Sequence, residues 1–336
     1  MFRLAVLVTL ALWLSPQETL RPPTYEEGQR IRMTLQSRQL GVNRAPVMVH
    51  DGEEVEPPDG RPDDVETLTE REVVYIDTVE ATTDGLRDRV LREFETISLE
   101  WEGGALESAL EGETLRLTRE EDDEVEAEVV SDGDVDDALL QYYRLIGPIR
   151  IYLEDTDELP EVGDSWTLSE EAVERLNLPQ AVYFEADAAQ LEGQNRLRDD
   201  IELEITVTYR ENDELDGVLC AVLFAETDYE LEAEGLSAED LGWDTESLGV
   251  SEGVDVWIDY ESTGTLTRTA WVELATGRER QRNETEEYET VWTVTYEPNE
   301  GPTVEYVYEM LSEYTNELEW ELLNDEEDEG FDDEDE

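Results

Sequence analysis

Lysine is absent from this chain, and histidine and cysteine occur once each, as His50 and Cys220. Each shortage excludes a chemistry. Without Lys there is no Schiff-base residue, no phosphate-loop lysine and no kinase-type strand lysine. A Ser-His-Asp or Cys-His site would have to take its general base from His50, which stands in Val49-His50-Asp51-Gly52 within a stretch rich in Pro, Gly and Asp. Zinc sites need several Cys or His ligands, and these cannot be assembled. A single cysteine permits no intramolecular disulfide. Cys220 lies in the unbroken apolar run 218–225, where the expectation is an inert core thiol. No catalytic residue, no metal centre and no cofactor is expected.

Positive charge is the next shortage: 23 basic residues, all Arg, face 92 Asp and Glu, for a formal net charge of −69. A chain this acidic repels phosphate backbones and anionic headgroups inside a Debye length. Neither nucleic acid nor an anionic membrane surface is therefore expected as a partner. Weak divalent-cation binding at acidic patches is expected, without a shaped site. The EF-hand-like start Asp132-Gly133-Asp134-Val135-Asp136-Asp137 has Asp137 where the turn Gly belongs and Tyr143 where the bidentate Glu belongs. The Arg-only excess fits a salt-rich setting that screens self-repulsion, and equally a GC-rich genome.

Apolar content is also low, at 38%, and a chain of this charge stays unfolded unless its apolar residues segregate onto one face. The pattern supplies that segregation. Ile31, Met33 and Leu35 alternate with polar residues, as do Ile201, Leu203, Ile205, Val207 and Tyr209. Similar runs occur at 71–80, 85–98, 113–119, 124–130, 254–260, 263–274, 286–297 and 302–311. Asp84-Gly85, Asp216-Gly217 and Thr276-Gly277 supply hairpin turns, which makes the sheets antiparallel. The run 218–225 lacks alternation and reads as a central strand covered on both faces. Helices are few. One is expected over 134–146, closed by Gly147-Pro148, and another begins at a Thr167-Leu168-Ser169-Glu170 capping box and stops at Leu178-Pro179. Residues 41–70 are expected to form a long loop.

Arg3 followed by an apolar run of eleven positions, 4–14, interrupted only by Thr9, reads as an export signal over 1–15, too short to span a bilayer. Trp13 and Leu14 stand where a cleavage site wants small residues, so N-terminal membrane retention is the alternative to processing. At the other end, 324–336 is an acidic tail, with ten acidic residues in the last twelve, expected to be disordered. Between them the division is an N-terminal β-rich half at 25–150, a linker at 151–166 and a C-terminal β-rich half at 167–323. A strand, Asp-Gly turn, strand echo between 71–98 and 201–225 suits either duplication or generic hairpin grammar.

Aromatic residues are the most suggestive feature. Tyr288, Trp292, Val294 and Tyr296 share one strand face, as do Val304, Tyr306, Tyr308 and Met310, and these are expected to build a sheet's inner surface. Trp257 and Trp271 point the other way, either to meet a covering helix or to line a concave apolar pocket. Together with Trp166 they are the ligand-binding candidates. Carboxylate pairs for glycan hydrolysis cannot be located when more than a quarter of the residues are acidic.

The segment Leu159-Pro160-Glu161-Val162-Gly163-Asp164-Ser165-Trp166, with Leu110-Glu-Gly-Glu-Thr-Leu115 upstream and Gly264-Thr-Leu-Thr and Ala275-Thr-Gly-Arg278 downstream, resembles an uncharacterised family of exported bacterial β-rich proteins, often lipoproteins, with two similar halves. The resemblance implies an envelope location and brings no catalytic residues; the lipidated cysteine of the lipoprotein members is missing. Read from its own residues, the segment is a Gly163-Asp164 turn leading to Trp166 as a packing anchor. The expected fold is mainly β (α+β): two antiparallel, curved, half-barrel-like sheets, each partly covered by a helix. The expected role is an exported, non-enzymatic binding or structural protein holding an apolar or lipid ligand, with a carboxylate-dependent glycan hydrolase and a weak divalent-cation-binding surface protein as alternatives. It would act in the periplasm, on the cell surface or outside the cell.

Overall fold

Alternating apolar residues become strands throughout the computed structural model, which describes residues 20–50, 53–55, 63–120, 124–140, 143–145, 147–154, 156, 159–177, 183–184, 203–237, 254–298 and 303–323. The expected export signal and acidic tail lie outside the described residues. The strands are β1 (Arg30–Asn43), β2 (Val47–His50), β3 (Glu53–Val55), β4 (Val65–Thr83), β5 (Leu86–Trp101), β6 (Gly104–Glu107), β7 (Thr114–Arg119), β8 (Val125–Val129), β9 (Ser165–Thr167), β10 (Thr206–Leu215), β11 (Val218–Ser237), β12 (Val254–Glu273), β13 (Glu279–Pro298) and β14 (Val304–Leu323). Two short helices, α1 (Pro148–Glu154) and α2 (Glu170–Asn177), fall between β8 and β10.

One sheet forms where two were expected. Its order is β8-β7-β5-β4-β1-β14-β13-β12-β11-β10-β9, every pairing antiparallel. The seam is β1 on β14, in register from Arg30↔Leu323 to Asn43↔Met310. Period-two patterning tells which residues share a face but not which strands are neighbours, and this pairing joins the first long strand to the last. The expected loop at 41–70 is likewise partly strand: it contains β2, which pairs with β14 and β3, and the start of β4.

Register fixes two faces across the sheet. The inner face carries Met33, Val73, Tyr75, Val90, Val207, Leu223, Ala270 and Val272, all buried. It holds two clusters. In one, β1, β4, β5 and β7 pack with Leu110, Leu139, Tyr143, Leu145, Tyr183 and Phe184. In the other, β10, β11 and β12 pack with Ile149, Ile151, Tyr152 and Leu153 from α1, Ala172, Val173 and Leu176 from α2, and Leu20. The halves are interlaced: the first core takes Tyr183 and Phe184 from beyond residue 166, and the second takes Leu20 from ahead of β1. The strap carrying Leu20 is tied down where Thr24 N–H donates to Thr276 O at 3.1 Å and Tyr25 N–H donates to Gly85 O at 2.8 Å.

Both helices differ from expectation at their starts. The 134–146 helix shrinks to a 3-10 turn at Asp137–Leu140, capped by Asp136 Oδ1, which accepts the Ala138 N–H at 2.8 Å. Pro148, read as a stop, opens α1 instead, because the first helical position needs no N–H. In α2 the cap is Ser169, whose Oγ accepts the Ala172 N–H at 3.3 Å, while Thr167 closes β9. The Asp-Gly turns behave as expected: Asp84 and Asp216 take φ of 52° and 51°, and Gly85 and Gly217 take 78° and 79°, the left-handed pair of a type I′ hairpin. The two hairpins step in opposite directions, β4 to β5 away from the seam and β10 to β11 towards it.

Candidate functional site

Strands β11 to β14 each run 20 residues, about 66 Å at ~3.3 Å per residue, and the two core clusters lie towards only one end of them. At the other end the inner face is built of cross-strand rows. Tyr260, Trp292 and Tyr308 stand opposite one another on β12, β13 and β14; the next row is Ile258, Val294 and Tyr306, extended by Met48 of β2; the last is Val256, Tyr296 and Val304. Ring centroids are 4.2 Å apart for Tyr260–Trp292, 5.7 Å for Tyr296–Tyr306 and 6.4 Å for Tyr306–Tyr308. Val256, Ile258 and Val294 are buried beneath, whereas Tyr308 is 38% exposed. Burial raises the Tyr296 and Tyr308 hydroxyls above the usual phenol range, so both stay neutral donors.

Along the same face the chemistry changes row by row. Ser262 and Thr290, both buried, pair through their hydroxyls at 3.1 Å. Tyr229 then lies over Gly264 and donates its hydroxyl to Glu286 Oε1 at 2.6 Å. Next comes a buried charge network. Arg268 Nε lies 2.8 Å from Glu284 Oε1, Arg282 Nη1 lies 3.4 Å from the same oxygen, and Arg282 Nε lies 3.3 Å from Glu279 Oε1. Burial alone would raise Glu284, but Arg268 and Arg282 outweigh it and hold that carboxyl below its ordinary value. Glu279 goes the other way: burial pushes it up to about 7, against the pull of Arg282.

Two carboxyls with opposed shifts are what a hydrolase acid and base require. The two do not share a cavity, however: Glu279 borders one of about 30 Å³ with Tyr25, Met33 and Trp320, space for roughly one water and not for a sugar ring. Glu284, held ionised by its two arginines, borders a larger cleft of about 600 Å³ with Arg38, Glu70, Glu72, Glu100 and Glu317. Glu70, Glu100 and Glu317 are exposed there, without the apolar surround that keeps a general acid protonated. Among the described residues no group of three His, Cys, Asp or Glu side chains could hold a metal ion.

The three tryptophans singled out by the sequence do not converge. Trp257 and Trp271 both lie on the outer face of β12, fourteen residues or about 46 Å apart. Trp257 is exposed and donates Nε1–H to Glu297 at 3.3 Å; Trp271 sits opposite Val222. Trp166 is on the inner face opposite Val207 and donates Nε1–H to Tyr152 O at 2.7 Å, packed against the helix-covered cluster. Cys220 is fully buried, and burial raises its thiol. His50 closes β2 opposite Glu53. Sequence reasoning also overlooked one pattern: Gly249-Val250-Ser251-Glu252-Gly253 matches the nucleophile-elbow spacing. It lies outside the described residues and is followed by strand β12, where an elbow leads into a helix.

No family model matches the chain, and no curated protein matches it. Solved structures similar to it include a mutant porin of Rh. blastica, with 9% identity and a TM-score of 0.21 over 87% of this chain and 100% of that one. The Pseudomonas aeruginosa channel OccK2, solved in complex with glucuronate, has 6% identity and a TM-score of 0.21 over 90% and 100% of the two chains. An outer-membrane channel from Pseudomonas putida F1 has 8% identity and a TM-score of 0.19 over 92% and 100%. At such scores these are likenesses of strand content. A lipid-embedded barrel needs an outward apolar band, whereas the outward positions of β14 here are Glu305, Val307, Glu309, Leu311, Glu313, Thr315, Glu317, Glu319 and Glu321.

Proposed function

We propose that this chain is an exported, non-enzymatic envelope protein that binds an apolar ligand against the aromatic end of its inner sheet face. The observation that carries the reading is the row Tyr260–Trp292–Tyr308, continued by Tyr306 and Tyr296, with Tyr308 38% exposed, at the end of the strands away from the residues that α1 and α2 pack against. Aromatic rings on a rigid sheet offer large contact area at little cost in side-chain entropy. Export rests on Arg3 and the apolar run 4–14.

The test is to express the full chain in its own envelope, purify it under mild conditions, extract it and identify bound small molecules by mass spectrometry. A co-purifying amphiphile, lost from a Tyr308→Ala variant, is the expected result. Clean protein that also fails to take up any dodecyl-chain probe would overturn the reading.

A further inference from the structure

We infer that the ligand at the aromatic end is an organic cation, an apolar body bearing a substituted ammonium group; the inference rests on the apolar-ligand reading above and names its chemical class. Three observations converge on it. The first is the surface itself. Tyr260, Trp292, Tyr308, Tyr306 and Tyr296 present rings from three adjacent strands, spaced 4.2 to 6.4 Å where they pair. Ring faces carry negative quadrupole charge, and several rings around one substituted ammonium group form the known way of binding it with little hydration lost.

The second is the sign of the field. On β12, β13 and β14 the three distal rows carry no charged side chain on the inner face; Glu53 of β3 shares that face beside His50, and towards the middle of the sheet the next carboxylate, Glu286, is already bound by the Tyr229 hydroxyl. On the opposite face of the same strand ends stand Asp255, Asp259, Glu261, Glu289, Glu297 and Glu305, in a chain of net charge −69. A cation is drawn to this end and an anionic amphiphile is repelled from it. Because those carboxylates are separated from the rings by the sheet, they raise the local cation concentration without offering a chelating site. That favours a bulky, weakly hydrated cation over a metal ion.

The third is that the fold already uses the interaction internally. The Arg92 guanidinium lies 3.7 Å from the Tyr75 ring centroid, Arg210 lies 3.3 Å from that of Phe224, and Arg282 lies 5.4 Å from that of Trp320. An arginine-only chain with this many rings has cations stacked on aromatic faces both within a core cluster, at Tyr75, and on the outer sheet face, at Phe224. The distal rows offer the same ring chemistry at a surface.

The experiment titrates the full chain by calorimetry with three single-tailed dodecyl probes below their micelle concentrations: the trimethylammonium, the neutral maltoside and the sulfate. Salt is held at about 1 M, where the Debye length is ~3 Å and diffuse attraction to surface carboxylates is screened. The trimethylammonium probe is expected to bind saturably, about tenfold tighter than the maltoside, and the sulfate, which the ring faces disfavour, more weakly than the maltoside. Tyr308→Leu keeps apolar area and removes the ring, so it should weaken the cationic probe about fivefold and leave the maltoside unchanged. Trp257→Leu, on the outer face, should change neither. Equal affinities for the cationic and neutral probes, both dependent on Tyr308, would overturn the cation assignment and leave the apolar-ligand reading in place. Cationic binding indifferent to Tyr308, or no saturable binding of any probe, would overturn both.

Discussion

Tyr229 and Gly264 are register partners on β11 and β12, and a Cβ built on Gly264 would come within 2.7 Å of the Tyr229 ring and 2.8 Å of Glu287 O. The glycine is what lets the ring lie flat across the strand and bring its hydroxyl to Glu286. Gly264→Ala should therefore force the ring off the sheet and break that hydrogen bond, at a cost of ~1–3 kcal/mol typical of overpacking. Urea unfolding of the variant against Tyr229→Phe measures it; a Gly264→Ala loss no larger than that of Tyr229→Phe would show that the close approach is unimportant.

Asp77 anchors the other half. Arg92 donates Nε–H to Asp77 Oδ1 at 2.7 Å and Nη2–H to Oδ2 at 2.8 Å, and Arg87 adds Nη1–H to Oδ2 at 3.0 Å, with Asp77 and Arg92 both buried. Removing one partner leaves a buried charge uncompensated, so Asp77→Asn should cost ~3–5 kcal/mol. Asp77→Asn combined with Arg92→Met should recover part of that loss, because the stranded guanidinium is gone. Chemical denaturation of the single and double variants decides; a double variant less stable than the single one contradicts the argument.

How much of this was legible in the sequence follows from what period-two patterning can and cannot encode. It placed Tyr288, Trp292, Val294 and Tyr296 on one face and Val304, Tyr306, Tyr308 and Met310 on one face, and register now shows that these are the same inner face. It also puts Trp257 and Trp271 on the opposite face, but parity does not say which face the helices cover, which leaves both as pocket candidates. Glu279 was invisible for a different reason. Among 92 acidic residues nothing marks a buried one, and Glu279 turns inward only because the β12–β13 register slips between Trp271 and Val272. The seam of β1 on β14 lay beyond any local pattern.

The strap ahead of β1 supplies a paired comparison. Gly217 and Gly277 both have positive φ, 79° and 70°, but a Cβ on Gly217 meets nothing within 4 Å while one on Gly277 would lie 2.2 Å from Arg21 O and 2.5 Å from Pro22 O. Gly217→Ala should cost only the backbone term, about 1 kcal/mol. Gly277→Ala must in addition push away the strap that seats Leu20 in the second core. Limited proteolysis should then cut near residues 20–25 in Gly277→Ala and not in Gly217→Ala; equal protection of the two would mean the strap tolerates displacement.

Glu279 gives the fold a pH dependence whose sign can be worked out. Its ordinary value is 4.5 and burial beside Arg282 and Glu284 leaves it at about 7, so the folded state holds the proton more tightly than the unfolded chain. Between those two values the unfolded state releases a proton that the folded state keeps, and stability must fall as pH rises through that window. The loss approaches ~3 kcal/mol once both states are ionised, from about 1.4 kcal/mol per unit. Glu284 acts oppositely, its depressed value contributing stability near neutrality that is lost on acidification. The separating variant is Glu279→Gln, which keeps shape and polarity without the titration. Its stability relative to the parent chain should be unchanged below about pH 4 and rise steadily to pH 8. A difference that stays flat across that range would show that Glu279 binds its proton no more tightly in the fold than in the unfolded chain.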